Sequence, residues 1–173
     1  MARIYIVAQY IVLFLIYSIV GSIFETLYRL ITEHRLYGIH GFLHIPILPI
    51  YGFGAILIIL LLEKIYRKPL LLFIVAATLA SLIEFVTHWL IEVLFHIKIW
   101  DYSGDPFNIA GRVDLYSSVG FGLLAVLLVN VIHPFFSRII VRRIPMTVTI
   151  TLAVVIVAAI LLDTIISIVG RMS

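Results

Sequence analysis

The sequence predicts an all-α protein, a polytopic integral membrane helix bundle with about five transmembrane helices and a re-entrant or interfacial segment before the second. Of the 173 residues, 64% are hydrophobic and 12% are charged, whereas soluble domains contain about 45–50% and about 25%. The apolar residues form blocks close to the roughly 20 residues that a bilayer-crossing helix needs. No repeat or low-complexity linker divides the chain, so we expect a single transmembrane domain over residues 1–173.

Each apolar block predicts one helix. The predicted helices cover residues 4–31, 47–62, 69–97, 114–136 and 145–169. Pro69 and Pro145 stand where a first-turn proline is tolerated, and Pro134 is placed to end the fourth helix. The string GIHGFLHIPILPIYGFG, residues 38–54, holds four glycines and two prolines. This composition predicts the re-entrant or interfacial segment, whose backbone must be buried in protein or line a cavity.

The distribution of lysine and arginine predicts the orientation. With five crossings, seven basic residues lie on the side of the N-terminus and five on the other: Arg3, Lys64, Arg67, Lys68, Arg138, Arg142 and Arg143 against Arg29, Arg35, Lys98, Arg112 and Arg171. Cytoplasmic loops carry the excess of basic residues, so we expect a cytoplasmic N-terminus and an extracytoplasmic C-terminus. The loops at 32–46 and 98–113 then lie outside.

Ionisable residues interrupt the third helix at regular spacing. Glu84, His88, Glu92 and His96 follow one another at intervals of four, and with Thr78 and Ser81 they occupy a strip about 120° wide. An ionisable side chain near the bilayer centre costs roughly 2.5–3.5 kcal/mol on insertion scales. The strip should therefore face protein or water. It is either a metal or proton site or a set of solvated side chains, and because one helix cannot fill a coordination shell we assign no metal and no cofactor.

Two other helices carry carboxylates at a similar predicted depth. Glu25 and Arg29 on the first helix are spaced for an ion pair, and that pair is either structural or part of a site. Asp163 lies on the otherwise aliphatic last helix. We therefore expect acidic groups of three helices to converge in a water-accessible cavity open to the exterior.

The loop KIWDYSGDPFNIAGR supplies further candidates. Trp100 and Tyr102 suit either a membrane-interface belt or a lid over the acidic cluster. Arg112 either forms a loop-ordering ion pair with the adjacent Asp114 or clamps an anion. The complete set of predicted substrate-binding residues is Glu25, Arg29, Glu84, His88, Glu92, Trp100, Asp101, Tyr102, Asn108, Arg112 and Asp163.

Several strings of the chain resemble one bacterial family. They are IYSIVGSIFETLYRLI, GFLHIPILPIYGFGA, FHIKIWDYSGDPFNIAGRVDLYSSVGFG and the run ending in IHP. The chain is similar over about residues 15–136 to the small membrane proteins called putative ABC-transporter type IV, or CmpB-like. The residues that match its pattern are Glu25, Gly41, Phe42, Leu43, Pro46, Pro49, Tyr51, Gly52, Glu84, Glu92, Trp100, Asp101, Tyr102, Asn108, Gly111 and Arg112. The chain departs from that pattern at Ser22 and Ile45.

The resemblance implies a permease in the bacterial cell membrane, and three functions remain open. The first is a transport component that binds a small polar or cationic solute. The second is a membrane enzyme acting on a lipid or lipid-linked group at the outer leaflet, with His40 or His88 as general base and Arg112 on a phosphate or carboxylate. The third is a non-catalytic subunit or sensor.

The expected partners follow from the same residues. The chain holds no Walker A motif, so an ATPase would be a separate chain, as would any other membrane subunit. The basic residues lie mostly in short loops, which argues against nucleic-acid binding. The lipid bilayer and a small solute or lipid are the remaining expected partners.

Overall fold

The computed structural model describes residues 1–33, 45, 47–98 and 100–172, and the side chains of 28, 29, 32, 33, 168 and 170–172 lie outside that description. Within it the protein is helical, and the helices are α1 (Ala2–Glu33), α2 (Pro49–Leu62), α3 (Pro69–Phe95), α4 (Leu115–Leu127), α5 (His133–Arg143) and α6 (Met146–Met172). Four helical stretches are long and apolar enough to cross a membrane: Ala2–Leu27, Pro69–Phe95, Leu115–Arg143 and Met146–Ser167. These stretches confirm the all-α membrane class.

The second predicted helix is the one that differs in length. α2 has 14 residues, which at 1.5 Å per residue gives about 21 Å, short of a hydrocarbon core of roughly 30 Å. A short 3-10 turn, Glu63–Ile65, follows it. The fifth crossing and the orientation that depends on it therefore stay predictions. Most of the expected re-entrant segment, residues 34–44 and 46, lies outside the described residues.

The prediction that Pro134 ends the fourth helix is wrong. α4 passes through a π-helical turn, Leu128–Ile132, directly into α5, and the helical stretch continues to Arg143. In that turn the backbone N–H of His133 donates to the carbonyl of Leu128, five residues back. A proline lacks the N–H of a normal helical turn and its ring crowds the preceding carbonyl. The wider π turn just before Pro134 accommodates both defects.

The third helix ends slightly before its predicted limit. His96 adopts a left-handed conformation with φ of 56° and donates its N–H to the carbonyl of Glu92 at 3.0 Å. This closes α3 at Phe95, so His96 is exposed beyond the helix.

The chain divides into two compact units, and each is described by itself. The first unit comprises Met1–Leu57 and Pro134–Ser173. In it α1 packs on α6 and on the first turn of α2. A Cβ added at Gly52 would lie 2.3 Å from the Ser18 hydroxyl and 2.7 Å from the Phe14 carbonyl, and one at Gly21 would lie 2.2 Å from Cβ of Tyr51. These glycines therefore allow the backbones of α1 and α2 to approach closely.

The second unit comprises Ile58–His133. Its core lies between α3 and α4, where Leu72, Ala76, Ala125 and Val129 are buried together with Leu62. Gly122 of α4 faces the Phe73 ring, which an added Cβ would approach to 2.7 Å. Small residues thus bring α3 and α4 together and leave the far end of α3 to meet the 96–114 loop.

Candidate functional site

The polar strip of α3 faces the loop and the start of α4, as the bilayer cost predicted. Ser81 pairs with the Ser118 hydroxyl at 2.7 Å. Further along the same face, Glu84, His88 and Glu92 each contact a different residue of the 96–114 loop. Thr78, the first member of the predicted strip, is exposed and donates to the Ile74 carbonyl of its own helix.

Glu92 forms an ion pair with Arg112, at a shorter distance than the Lys98–Asp101 pair of the same region. The Nε and Nη2 atoms of Arg112 both donate to Oε2 of Glu92, at 3.2 and 2.7 Å. The Arg112 guanidinium also lies 5.5 Å from the centre of the Phe85 ring, within range of a cation–π contact. Of the two alternatives for Arg112, the structure therefore shows an ion pair, with Glu92 of α3 and not the adjacent Asp114 as its partner. Arg112 reaches from the loop back to α3, 20 residues earlier in the chain, and adjacency in sequence did not reveal this contact.

His88 is nearly fully buried, with 2% of its surface exposed. Its Nε2 lies 2.8 Å from the carbonyl oxygen of Trp100, and the two rings meet edge to face at 5.1 Å. The indole N–H of Trp100 donates in turn to the Arg112 carbonyl at 2.9 Å. Trp100 therefore contacts α3 and its own loop.

Glu84 is joined to the loop by Tyr102, whose hydroxyl donates to Oε1 of Glu84 at 3.1 Å. The other oxygen, Oε2, is buried and has no hydrogen-bond partner within the described part of the chain. Burial, followed by the negative charges of Glu84 and Asp114, raises the pKa of Tyr102 to about 12. Tyr102 thus stays a neutral hydrogen-bond donor at physiological pH.

The rest of the loop is folded by its own polar side chains. Asn108 donates to the Asp105 carbonyl at 2.8 Å and accepts from the Gly111 N–H at 3.1 Å. Asp101 accepts from the hydroxyl and the N–H of Ser103, and these bonds, with Lys98 nearby, lower the pKa of that carboxyl. Gly111 has φ of 67°, and a Cβ there would lie 2.5 Å from the Ser103 hydroxyl. The motif residues therefore set the shape of the loop.

Asp114 is a structural residue that was considered only as a partner for Arg112. It is buried and caps α4, accepting from the N–H groups of Tyr116 at 2.8 Å and Ser117 at 3.1 Å. The available signal was an aspartate immediately before an apolar helical run, which is typical of an N-cap. Ser103 and Ser118 were missed as well, and isolated serines give no comparable signal.

Glu25 and Asp163, the described carboxylates of the first unit, have partners within that unit. The Tyr51 hydroxyl donates to Glu25, and Oδ2 of Asp163 accepts the backbone N–H of Ile45 at 3.1 Å. Ser22 donates to the Ser18 carbonyl and accepts from the Leu48 N–H at 2.8 Å. The predicted pair of Glu25 and Arg29 falls on a side chain outside the described set. Glu25 and Asp163 belong to the first unit, and the other described candidates belong to the second.

The described His, Asp and Glu side chains can be examined as ligands for a metal ion. Among the described residues, no three His, Asp or Glu side chains are grouped to hold a metal ion. The nearest approach of two such groups on α3 is 3.7 Å, between Nδ1 of His88 and Oε2 of Glu92. Since that carboxylate oxygen already accepts two bonds from Arg112, the pair offers little to a cation.

The fold and the polar strip define a multi-pass membrane protein whose interior carries ionisable groups at the end of one spanning helix. Neither the comparison with curated proteins nor the comparison with solved structures produced a match. The model of a family described as "Putative ABC-transporter type IV" matches residues 12–168. The chain belongs to this family, which confirms the resemblance inferred from the motifs.

Proposed function

We propose that this protein is the membrane-embedded component of a transport system and binds a small cationic solute at the acidic strip of its second unit. Family membership makes transport the expected class of function. Fold and family do not identify a substrate, so the class of solute has to be inferred from the chemistry of the site.

The charge of the strip favours a cation. Residues 81–118 contain five carboxylates and only two residues with permanent positive charge, Lys98 and Arg112. Both cations have carboxylate partners, Asp101 at 3.8 Å and Glu92 at 2.7 Å. Glu84 has no cation within ion-pair distance among the described residues, and this single observation supports the proposal most strongly. A carboxylate in a spanning helix is expensive unless a proton or a cation neutralises it.

The test uses the purified full-length protein in lipid nanodiscs with three organic cations of different size: methylammonium, guanidinium and choline. Thermal unfolding is followed with each chloride salt and with potassium chloride at the same ionic strength. At least one organic cation should raise the Tm above the potassium value, because a ligand that binds only the folded protein stabilises it. Uptake of that cation into proteoliposomes should then be saturable.

The matched variants are Glu84→Gln and Asp105→Asn, which each remove one carboxylate. Glu84→Gln should abolish the cation-specific rise in Tm and the saturable uptake. Asp105 is exposed in the loop, so Asp105→Asn should leave both unchanged. Equal responses of the wild type and Glu84→Gln to all three cations would contradict the proposed solute site.

A separate ATPase belongs to the proposal, because the sequence holds no Walker A motif. The protein would then supply the membrane path and its partner the hydrolysis of ATP. Co-purification of an ATPase subunit with the full-length chain from its native membrane is the expected result. The absence of any ATPase from that complex would contradict this part.

A non-catalytic membrane subunit is the second candidate, and the loop provides the observation that favours it. Three motif residues of the loop form hydrogen bonds with other residues of the second unit: Arg112, Asn108 and Asp101. In that case Glu84→Gln would leave transport by the complex unchanged. The enzyme hypothesis has less support, because His88 is buried with Nε2 engaged, and His40 lies outside the described residues.

A further inference from the structure

Asn130 is a polar side chain on the outer surface of a membrane-spanning helix. It is the sixteenth of the 29 residues in the helical stretch Leu115–Arg143, so it lies near the middle of that span. Its side chain is exposed, as are those of Leu127 and Val131 beside it. The hydrocarbon core of a bilayer holds no water. An exposed side chain at this depth therefore faces either acyl chains or another protein.

The amide of Asn130 is only partly satisfied by its own chain. An asparagine side chain carries two N–H donors and a carbonyl oxygen that accepts. Among the described residues it forms one hydrogen bond, from Nδ2 to the Val126 carbonyl one turn back, at 3.1 Å. One N–H and Oδ1 remain for a partner outside this set, and leaving them without one in hydrocarbon is costly.

Thr78 shows that exposure on a spanning helix does not by itself create this requirement. Its side chain is exposed on α3, and its hydroxyl donates to the Ile74 carbonyl of the same helix at 2.8 Å. A hydroxyl has a single proton to donate, so the helix of Thr78 takes up its only donor. Asn130 has a second donor that its own helix does not take up.

The surface around Asn130 is an uncharged face of α4 and of the π turn that follows it. Leu123 and Leu127 are 60% and 36% exposed. At about 100° per residue, Gly120, Leu123 and Leu127 fall within a strip roughly 60° wide, and Asn130 follows one turn later. A Cβ added at Gly120 would meet no atom within 4 Å. A glycine on such a face lets a second helix approach the backbone closely.

We propose that this face, formed by Gly120, Leu123, Leu127 and Asn130, is a self-association surface on which a second copy of the chain packs within the membrane. The amide identifies the occupant, because an amide both donates and accepts. About a two-fold axis, the two Asn130 side chains donate to each other and accept from each other. The four residues bear no charge that would require an oppositely charged partner. The inference goes beyond the proposed function and does not rest on the solute site.

The first test measures self-association of the purified full-length protein in liposomes, by energy transfer between copies that carry donor and acceptor fluorophores at the N-terminus. The wild type should dimerise as the protein-to-lipid ratio rises. Asn130→Leu should raise the dissociation constant roughly 3- to 20-fold, as expected for the loss of a side-chain hydrogen bond between membrane helices. Asn130→Gln keeps the amide and should raise it less. Thr78→Val is the matched control and should leave it unchanged.

Gly120→Leu separates association from folding. Because a Cβ at Gly120 meets open space within the described chain, this variant should fold and keep the Tm of the wild type at a protein-to-lipid ratio where both are monomeric. The same side chain would occupy the space that a second helix needs, so the dimer should be lost. Gly54 of α2 is equally open to an added Cβ, and Gly54→Leu should leave the dissociation constant unchanged.

Cysteine crosslinking tests where the two copies meet. The sequence contains no cysteine, so a single introduced cysteine can form a disulfide only between two chains. Leu127→Cys retains Asn130 and should form a crosslinked dimer on oxidation in liposomes. Leu90→Cys, at an exposed position of α3, should stay monomeric under the same conditions.

Three results would overturn the proposal. The first is a wild type that stays monomeric at every protein-to-lipid ratio. The second is an equal dissociation constant for the wild type, Asn130→Leu and Gly120→Leu, which would place the contact of any dimer on another face. The third is crosslinking of Leu127→Cys in its native membrane to a different protein and not to a second copy, which would assign this face to another membrane subunit.

Discussion

The polar residues of the two units have different kinds of hydrogen-bond partner. In the first unit several of the described ones bond to backbone: Ser18 and Ser22 donate to carbonyls of their own helix, and Asp163 accepts the Ile45 N–H. In the second unit they bond across to a loop, as Glu84 does to Tyr102 and Glu92 to Arg112. The bonds to backbone satisfy hydroxyl and carboxylate groups where helices pack closely. The bonds between α3 and the loop bring charged side chains together.

This difference separates polar residues that serve helix packing from polar residues that are candidates for a functional site. Ser18 and Gly21 of α1 lie where the backbones of α1 and α2 approach closely. Two buried polar atoms of the strip on α3, Oε2 of Glu84 and Nδ1 of His88, instead have no hydrogen-bond partner in the described residues. A polar residue in a membrane helix is therefore a functional candidate only after its local partners have been counted.

The largest expected effect is that of removing the Arg112 side chain, which would break the ion pair that joins the loop to Glu92 of α3. The Arg112 and Glu92 side chains are 20% and 29% exposed, so Arg112→Ala leaves a half-buried carboxylate without its cation. The free energy of unfolding in detergent micelles should fall, and by more than it does for Lys98→Ala. Denaturant titration of the full-length protein measures it.

Lys98→Ala is the matched control for that experiment. The Lys98 and Asp101 side chains are 61% and 50% exposed and 3.8 Å apart, so solvent screens them and the loss in unfolding free energy should be much smaller. Equal losses for the two variants would show that burial of the Arg112 pair is unimportant. The contrast between a buried and an exposed pair would then no longer describe the second unit.

A smaller effect is expected from an overpacked helix contact in the first unit. Gly52→Ala places a Cβ 2.3 Å from the Ser18 hydroxyl and 2.7 Å from the Phe14 carbonyl, so α1 and α2 must separate. We expect a loss of about 1–3 kcal/mol in unfolding free energy. Gly54, two residues later in α2, has no atom within 4 Å of the added Cβ. Gly54→Ala should therefore be neutral or stabilising by up to about 1 kcal/mol, and identical results would contradict the close contact.

The sequence was sufficient to predict most of the helices and the polar face of α3. Apolar length and the four-residue spacing of Glu84, His88 and Glu92 depend only on local order, and helical geometry converts both into structure. The start of α3 at Pro69 was predicted for the same reason. Local patterns failed at Pro134, because the π turn that accommodates it has no simple composition signal.

The partners of the polar residues were much harder to predict. Arg112 bonds to Glu92, 20 residues away, and Asp163 bonds to Ile45, 118 residues away. Such pairings depend on how a loop folds, and no periodicity encodes them. The partners of Trp100 and Tyr102 were equally hard to predict. Their residue types suit a membrane-interface belt, but their polar atoms bond to Arg112 and Glu84.

The smallest expected effect concerns the loop and its response to acid. Hydrogen bonds from the Ser103 hydroxyl and N–H, with help from Lys98, lower the pKa of Asp101. Because the pKa is lowered in the folded state, this carboxylate stabilises the loop at pH values above its ordinary pKa of about 3.9. It loses that contribution as the pH falls through the lower folded value.

Ser103→Ala removes one donor, so the Asp101 pKa should rise toward its ordinary value while the N–H bond keeps it from returning fully. Carbon NMR of the aspartate carboxyls measures the shift, and Gly104→Ala, where an added Cβ meets no atom within 4 Å, should leave it unchanged. An unchanged Asp101 pKa in Ser103→Ala would mean that the hydroxyl does not hold the carboxylate, and the loop would then owe its shape to Asn108 and Gly111 instead.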